Sequence, residues 1–151
     1  MRFLARQPVL AWALCLGVVL LASIFGRPDI PIDETRYVSV ADWLVLHRNG
    51  EPYHHKPPLL FWLINLGWHL FGVNDWWPRC ISTLCSLASL ILTAAIARRL
   101  WPREEGIGAR AGWLLLSGAF WLFFSTSVVF DVMLTAFCLL ALLALLQVWQ
   151  G

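Results

Sequence analysis

Apolar residues fall in four long runs, at about 9–26, 80–97, 111–129 and 132–149. At 1.5 Å per residue, a run of about 18 to 20 residues spans a hydrocarbon core about 30 Å thick. The first run contains no charged residue, the second ends abruptly at Arg98-Arg99, and the third is interrupted only by Ser117, Ser125, Thr126 and Ser127. This pattern predicts an all-α membrane protein with about four transmembrane helices. Between the first two runs lies one long polar loop, 27–79. Its stretch 32–71 holds Asp33, Glu34, Asp42 and Glu51, all four histidines and the only lysine, Lys56.

The loop opens with Arg27-Pro28-Asp29-Ile30-Pro31, whose prolines cannot continue a helix and set an extended connector. Asp33 then fits an N-cap, and a helix is expected over 34–47. Tyr37, Val40, Ala41, Leu44 and Val45 recur at helical spacing, with Arg36, Ser39 and Asp42 largely elsewhere on the wheel. Such a helix is too polar to span and suits the membrane surface. Asn49-Gly50 is read as its stop. A second short helix is expected over 57–72, starting at Pro57-Pro58, where missing amide hydrogens do no harm. Asn65 and His69, four apart, form a narrow polar stripe on it. Trp62 and Trp68 suit headgroup depth. The loop thus carries two juxtamembrane helices, and 73–79 reads as a turn.

Arginines set the orientation. Arg2 and Arg6 precede the first span, while Arg98, Arg99, Arg103 and Arg110 flank the second and third. Putting both clusters in the cytoplasm requires two crossings between them. The N-terminus is then cytoplasmic in a multi-pass protein, with loop 27–79 and Asp131 outside. A full crossing by 57–72 would place the clusters on opposite sides. The first run resembles a secretion signal but is longer than a usual signal core. Only Ala22-Ser23 offers a weak cleavage site, so a retained span is expected.

With 60% hydrophobic residues in 151, and only 11 basic and 9 acidic side chains, a soluble domain is disfavoured. No basic tract points to nucleic acid. Cys15, Cys80, Cys85 and Cys138 lie in or beside apolar runs without metal-ligand spacing, which suits small hydrophobic filler.

The candidate chemistry is in the loop and at Asp131. Asp33 serves either as a helix cap, worth about 1 kcal/mol, or as a catalytic or phosphate-directed acid. Glu34 suits a first-turn carboxylate. Asp131 is the only charged residue after Arg110; it is either a loop residue at the lipid–water border or a functional acid. His54 and His55 are surface histidines or contributors to a divalent metal site with Asp33 or Asp131. Lys56, held against two prolines, suits a phosphate contact.

Asp33-Glu34-Thr35-Arg36-Tyr37, then Gly50 and Pro52, then His55-Lys56-Pro57-Pro58-Leu59 with Phe61-Trp62-Leu63, and Leu70-Phe71-Gly72 together resemble the amino-terminal signature of polyprenyl-phosphate-dependent membrane glycosyltransferases. These are of GT-C type and include lipid A aminoarabinose transferases and bacterial relatives of protein O-mannosyltransferases. The resemblance covers essentially the whole chain. It implies the N-terminal portion of a GT-C-type fold and a polyprenyl-phosphate-linked sugar donor. Transfer would go to a lipid, glycan or protein acceptor at the outer face of the inner membrane, with inversion. It implies Asp33 as the essential acid, Asp131 as a second acid, and Lys56 with Arg36 at the donor phosphate. Glu34, Tyr37 and His55 would support them. Some relatives place a metal-binding glutamate where this chain has His55, so a divalent metal is an open expectation. Such enzymes have many more spans and usually a carboxy-terminal external domain, so a fragment, truncated product or piece of a split protein is expected. The alternative is a small or inactive membrane protein that binds a lipid phosphate or a partner without catalysis.

The orientation makes a direct prediction. Single cysteines introduced at Asp29 and at Glu105 should react with a membrane-impermeant maleimide from opposite sides, Asp29 from outside. Labelling of both from one side would refute the two-crossing topology.

Overall fold

In the computed structural model the described residues are 8–26, 57–150 and the backbone of two short strands. The elements are α1 (Pro8–Gly26), β1 (His47–Arg48), β2 (Glu51–Pro52), α2 (Leu59–Phe71), α3 (Trp76–Leu100), α4 (Ile107–Leu116), α5 (Ala119–Phe124) and α6 (Phe130–Gln150). Apart from the strand pair, the described architecture is all helical. α1, α3 and α6 are each long and apolar enough to cross a membrane.

α3 is the common wall: α1, α2, α4 and α6 all pack on it. Its buried face is built of small side chains, among them Ser82, Ser86, Ser89, Ala94 and Ala97. Small residues let helix backbones approach closely where lipid offers no hydrophobic drive for association. Hydroxyls on this face return their protons to the helix itself, Ser89 to the Cys85 carbonyl at 2.9 Å and Thr83 to that of Arg79 at 2.9 Å.

Contacts at the two ends give the directions. Arg79, near the start of α3, reaches Ser23 near the end of α1. Trp12, near the start of α1, packs with Leu90, Ala94 and Leu116, so α1 and α3 are antiparallel. The Gln150 side chain donates to the Arg99 carbonyl at 3.3 Å, and Ile81 shares a cluster with Val128 and Met133. α3 and α6 therefore run parallel. The return between them is made by α4 and α5, from Gly108 beside Arg98 to Ser125 beside Thr83.

That return was expected as one continuous span over 111–129, and it is broken instead. The break falls at Ser117-Gly118, where Gly118 is extended (φ −69°, ψ 117°). Helix is lost again after Phe124, where three consecutive hydroxyl residues compete with the backbone. Ser125 donates to the Leu122 carbonyl at 2.7 Å and Ser127 to that of Phe123 at 3.1 Å. The mean hydropathy of the run hides both events, because serine and glycine barely lower it.

The other departures lie around the loop. The helix expected over 34–47 falls outside the described residues except His47, which is strand. β1 and β2 pair antiparallel, His47 opposite Pro52 and Arg48 opposite Glu51. Asn49-Gly50, read as the helix stop, lies between the two strands and outside the described residues. α2 begins after Pro58 as expected. The stripe on it divides: Asn65 is buried and His69 exposed.

The turn read over 73–79 is shorter, because α3 already starts at Trp76 and Pro78 sits harmlessly in its first turn. Gly72 turns the chain at φ +76°, a value glycine adopts without Cβ strain. The Asn74 side-chain oxygen then accepts the Trp77 amide at 2.8 Å. Two indoles fasten this helical hairpin: Trp68 donates to the Asn74 carbonyl at 2.8 Å and Trp77 to that of Leu63 at 2.9 Å.

Gly67 allows this approach, since a Cβ there would overlap the Trp77 indole. Gly67→Ala gains about 0.5–1 kcal/mol of helix propensity but incurs about 1–3 kcal/mol of overpacking. The clash should win. Thermal unfolding in detergent should show a destabilised G67A protein, partly restored by adding Trp77→Leu. An unchanged or higher midpoint for G67A would contradict the hairpin packing.

Candidate functional site

One end of the bundle carries Asp131. It holds the last turn of α1, the first turns of α3 and α6, and the irregular segment 125–129. All five residues of that segment are buried. Non-helical backbone at membrane depth persists only where protein covers it. Here the covering includes Thr83, whose hydroxyl reaches the Ser125 carbonyl at 3.3 Å.

Asp131 follows directly, in the first turn of α6, with its side chain exposed. An acid there is favoured by the positive end of the helix dipole. Its backbone carbonyl accepts the Thr135 hydroxyl at 2.8 Å. The sequence expectation, an acid at the tip between the last two apolar runs, agrees with this position.

Asp33, Glu34, Arg36, Tyr37, His54, His55 and Lys56 lie outside the described residues. What the structure does place is the chain that follows Lys56. Leu60, Phe61 and Ile64 of α2 are buried in one cluster with Ile81 of α3, Val128, and Met133 of α6. Phe130 packs against the same cluster. The start of α2 and the start of α6 therefore share one apolar cluster with α3. Among the described residues no group of three or more His, Cys, Asp or Glu side chains could hold a metal ion.

Arg79 is the residue whose burial the sequence reading missed. It is only 3% exposed, and its Nη1 donates to the Ser23 carbonyl at 2.6 Å. A signal was present: Arg79 begins an apolar run at the end opposite Arg98-Arg99, where charge bias gives an arginine no reason to be. Buried ionisable residues in membrane helices are costly and tend to be functional. Deeper on the same helix, the Ser82 and Ser86 hydroxyls are buried with no hydrogen-bond partner among the described residues, as is the Asn65 amide nitrogen on α2.

The fold defines a helical membrane protein with three helices long and apolar enough to cross a bilayer. Residues 55–151 match the family described as dolichyl-phosphate-mannose-protein mannosyltransferase, and the chain belongs to this family of membrane glycosyltransferases. It is also similar to two proteins named undecaprenyl phosphate-alpha-4-amino-4-deoxy-L-arabinose arabinosyl transferase. The one from Pseudomonas fluorescens is 36% identical over 112 residues, which is 65% of this chain and 20% of the relative. The one from Pseudomonas aeruginosa is 37% identical over 109 residues, 66% of this chain and 20% of the relative. The matched stretch thus spans about a fifth of the relatives' length. No solved structure matches.

The shared cluster predicts energetic coupling between α2 and α6. Phe61→Ala and Met133→Ala should each cost about 2–5 kcal/mol. A double-mutant cycle read by unfolding should give an interaction energy above about 0.5 kcal/mol. Strict additivity would place the two helix starts apart.

Proposed function

We propose that the protein transfers a sugar from a polyprenyl-phosphate carrier to a lipid, glycan or protein acceptor at the outer face of the inner membrane. Family membership carries this reading. The names of the two Pseudomonas relatives make 4-amino-4-deoxy-L-arabinose on undecaprenyl phosphate the first donor to test. The cluster shared by the start of α2, α3 and the start of α6 supports a single site, because Lys56 lies three residues before Leu59 and Asp131 is in the first turn of α6.

The reaction is one displacement. An acceptor hydroxyl oxygen attacks the anomeric carbon, its proton passes to the Asp33 carboxylate, and the carbon–oxygen bond to phosphate breaks with inversion. The carrier leaves as a phosphate anion, which needs charge neutralisation more than a proton; Lys56 and Arg36 provide it. Asp131 acts with Asp33 in orienting the acceptor. Glu34, Tyr37 and His55 support the loop. His54 and His55 are the candidates to hold a divalent metal. The donor head group and the polar loop lie outside, and the N-terminus is cytoplasmic.

The test uses membranes containing the protein expressed from its complete reading frame, with undecaprenyl-phosphate aminoarabinose and an acceptor lipid. Asp33→Asn should lower transfer about 10²–10⁴-fold, and Lys56→Ala about 10²–10³-fold. Full activity of the Asp33→Asn protein would sink the role assignments. Carrier binding by the wild type without any sugar transfer would favour a non-catalytic lipid-phosphate binder.

A further inference from the structure

We infer that Arg79 and Thr83 are positioning residues that hold, from one face of α3, the two chain segments leading to Asp33 and Asp131. The inference rests on the proposed reading in which those two acids share a transfer site. Arg79 and Thr83 are four residues apart, so their side chains lie one above the other on the helix. Both are buried, at 3% and 9% exposure.

Each reaches a different neighbour. The Arg79 guanidinium binds the Ser23 carbonyl at 2.6 Å, across 56 residues of sequence. Ser23 is in the last turn of α1, which ends at Gly26, and Asp33 follows seven residues later. A charge-assisted bond of this length is among the stronger hydrogen bonds. It fixes the point from which the polar loop departs. The Thr83 hydroxyl has a single proton, directed to its own helix at the Arg79 carbonyl (2.9 Å) and to the Ser125 carbonyl (3.3 Å). Ser125 opens the buried segment that ends at Val129, two residues before Asp131.

The two bonds therefore register the α1 exit and the α6 entry against one rigid helix, one turn apart. Neither residue needs to touch substrate. Their effect is on geometry, and misplacement by about 1 Å can cost about 10²-fold in rate.

The test measures steady-state transfer by the protein expressed from its complete reading frame, in membranes, for Thr83→Val, Thr83→Ser and Arg79→Lys. Valine keeps the shape of threonine and removes the donor. Lysine keeps the charge and loses the planar fork. Thr83→Val and Arg79→Lys should accumulate and melt like wild type, yet lose about 10- to 100-fold in kcat. Donor KM should stay within about twofold, and Thr83→Ser should restore kcat. Wild-type kcat in both Thr83→Val and Arg79→Lys, alongside an inactive Asp131→Asn control, would overturn the positioning role and leave the proposed function standing. An Asp33→Asn control with full activity would instead remove the reading on which the inference rests. Loss of kcat that tracks loss of folded protein, with no recovery in Thr83→Ser, would show a structural role only and would also overturn it.

Discussion

Within hydrocarbon, every backbone amide and carbonyl has to find its partner inside the protein, because no water is there to supply one. Most of this molecule meets that demand with helices. The 125–129 segment cannot, and its solution organises the end of the bundle around it. The preceding helical carbonyls are met by hydroxyls of the segment itself, the Ser125 carbonyl is met by Thr83, and all five residues are covered. An irregular stretch that must stay covered is a fixed stretch. A helix starting immediately after it inherits that fixity, and Asp131 stands in the first turn of that helix.

The second organising feature is the small-residue face of α3. Serine and alanine leave room for four neighbours to approach one helix, and glycines on those neighbours do the same from the other side. Gly112 of α4 lies against the buried Trp12 ring, and Gly67 of α2 lies against Trp77. Large rings pressed onto glycine backbone give a dense contact at both ends of the bundle. Trp12 also meets Trp113 edge-on at 6.4 Å, and Phe71 lies 5.3 Å from Trp77. By contrast, the surface pair of Arg110 with Glu104 is 3.7 Å apart, with both side chains more than 60% exposed. Pairs of that kind add little to stability.

Much of this fold was legible because run length and charge are strong signals in a membrane protein. α1, α3 and α6 followed from uncharged stretches, and α2 from Pro57-Pro58 before an apolar run. The break at Ser117-Gly118 was not legible, since averaging over a window counts small residues as nearly apolar and ignores what they do to the backbone. α3 was read as starting late because 73–79 was taken for a turn, although Pro78 fits a first helical turn. Of the candidate site, Asp131 was found where it was expected, as an isolated acid between two apolar runs. Arg79 was passed over because it was read as the last residue of a turn. Its burial depends on the distant Ser23 carbonyl, which no local pattern reveals.

The parallel course of α3 and α6 has an electrostatic consequence. Antiparallel neighbours in a bundle largely cancel each other's peptide dipoles. Two long helices of 25 and 21 residues that run side by side in the same direction do not. Each presents about half a unit of positive charge at its N-terminus, and both N-termini lie at the end where Arg79 is buried. The last turn of α1 brings a negative helix end beside them, and the acids that meet the two positive ends are Asp75 at the N-cap of α3 and Asp131 in the first turn of α6.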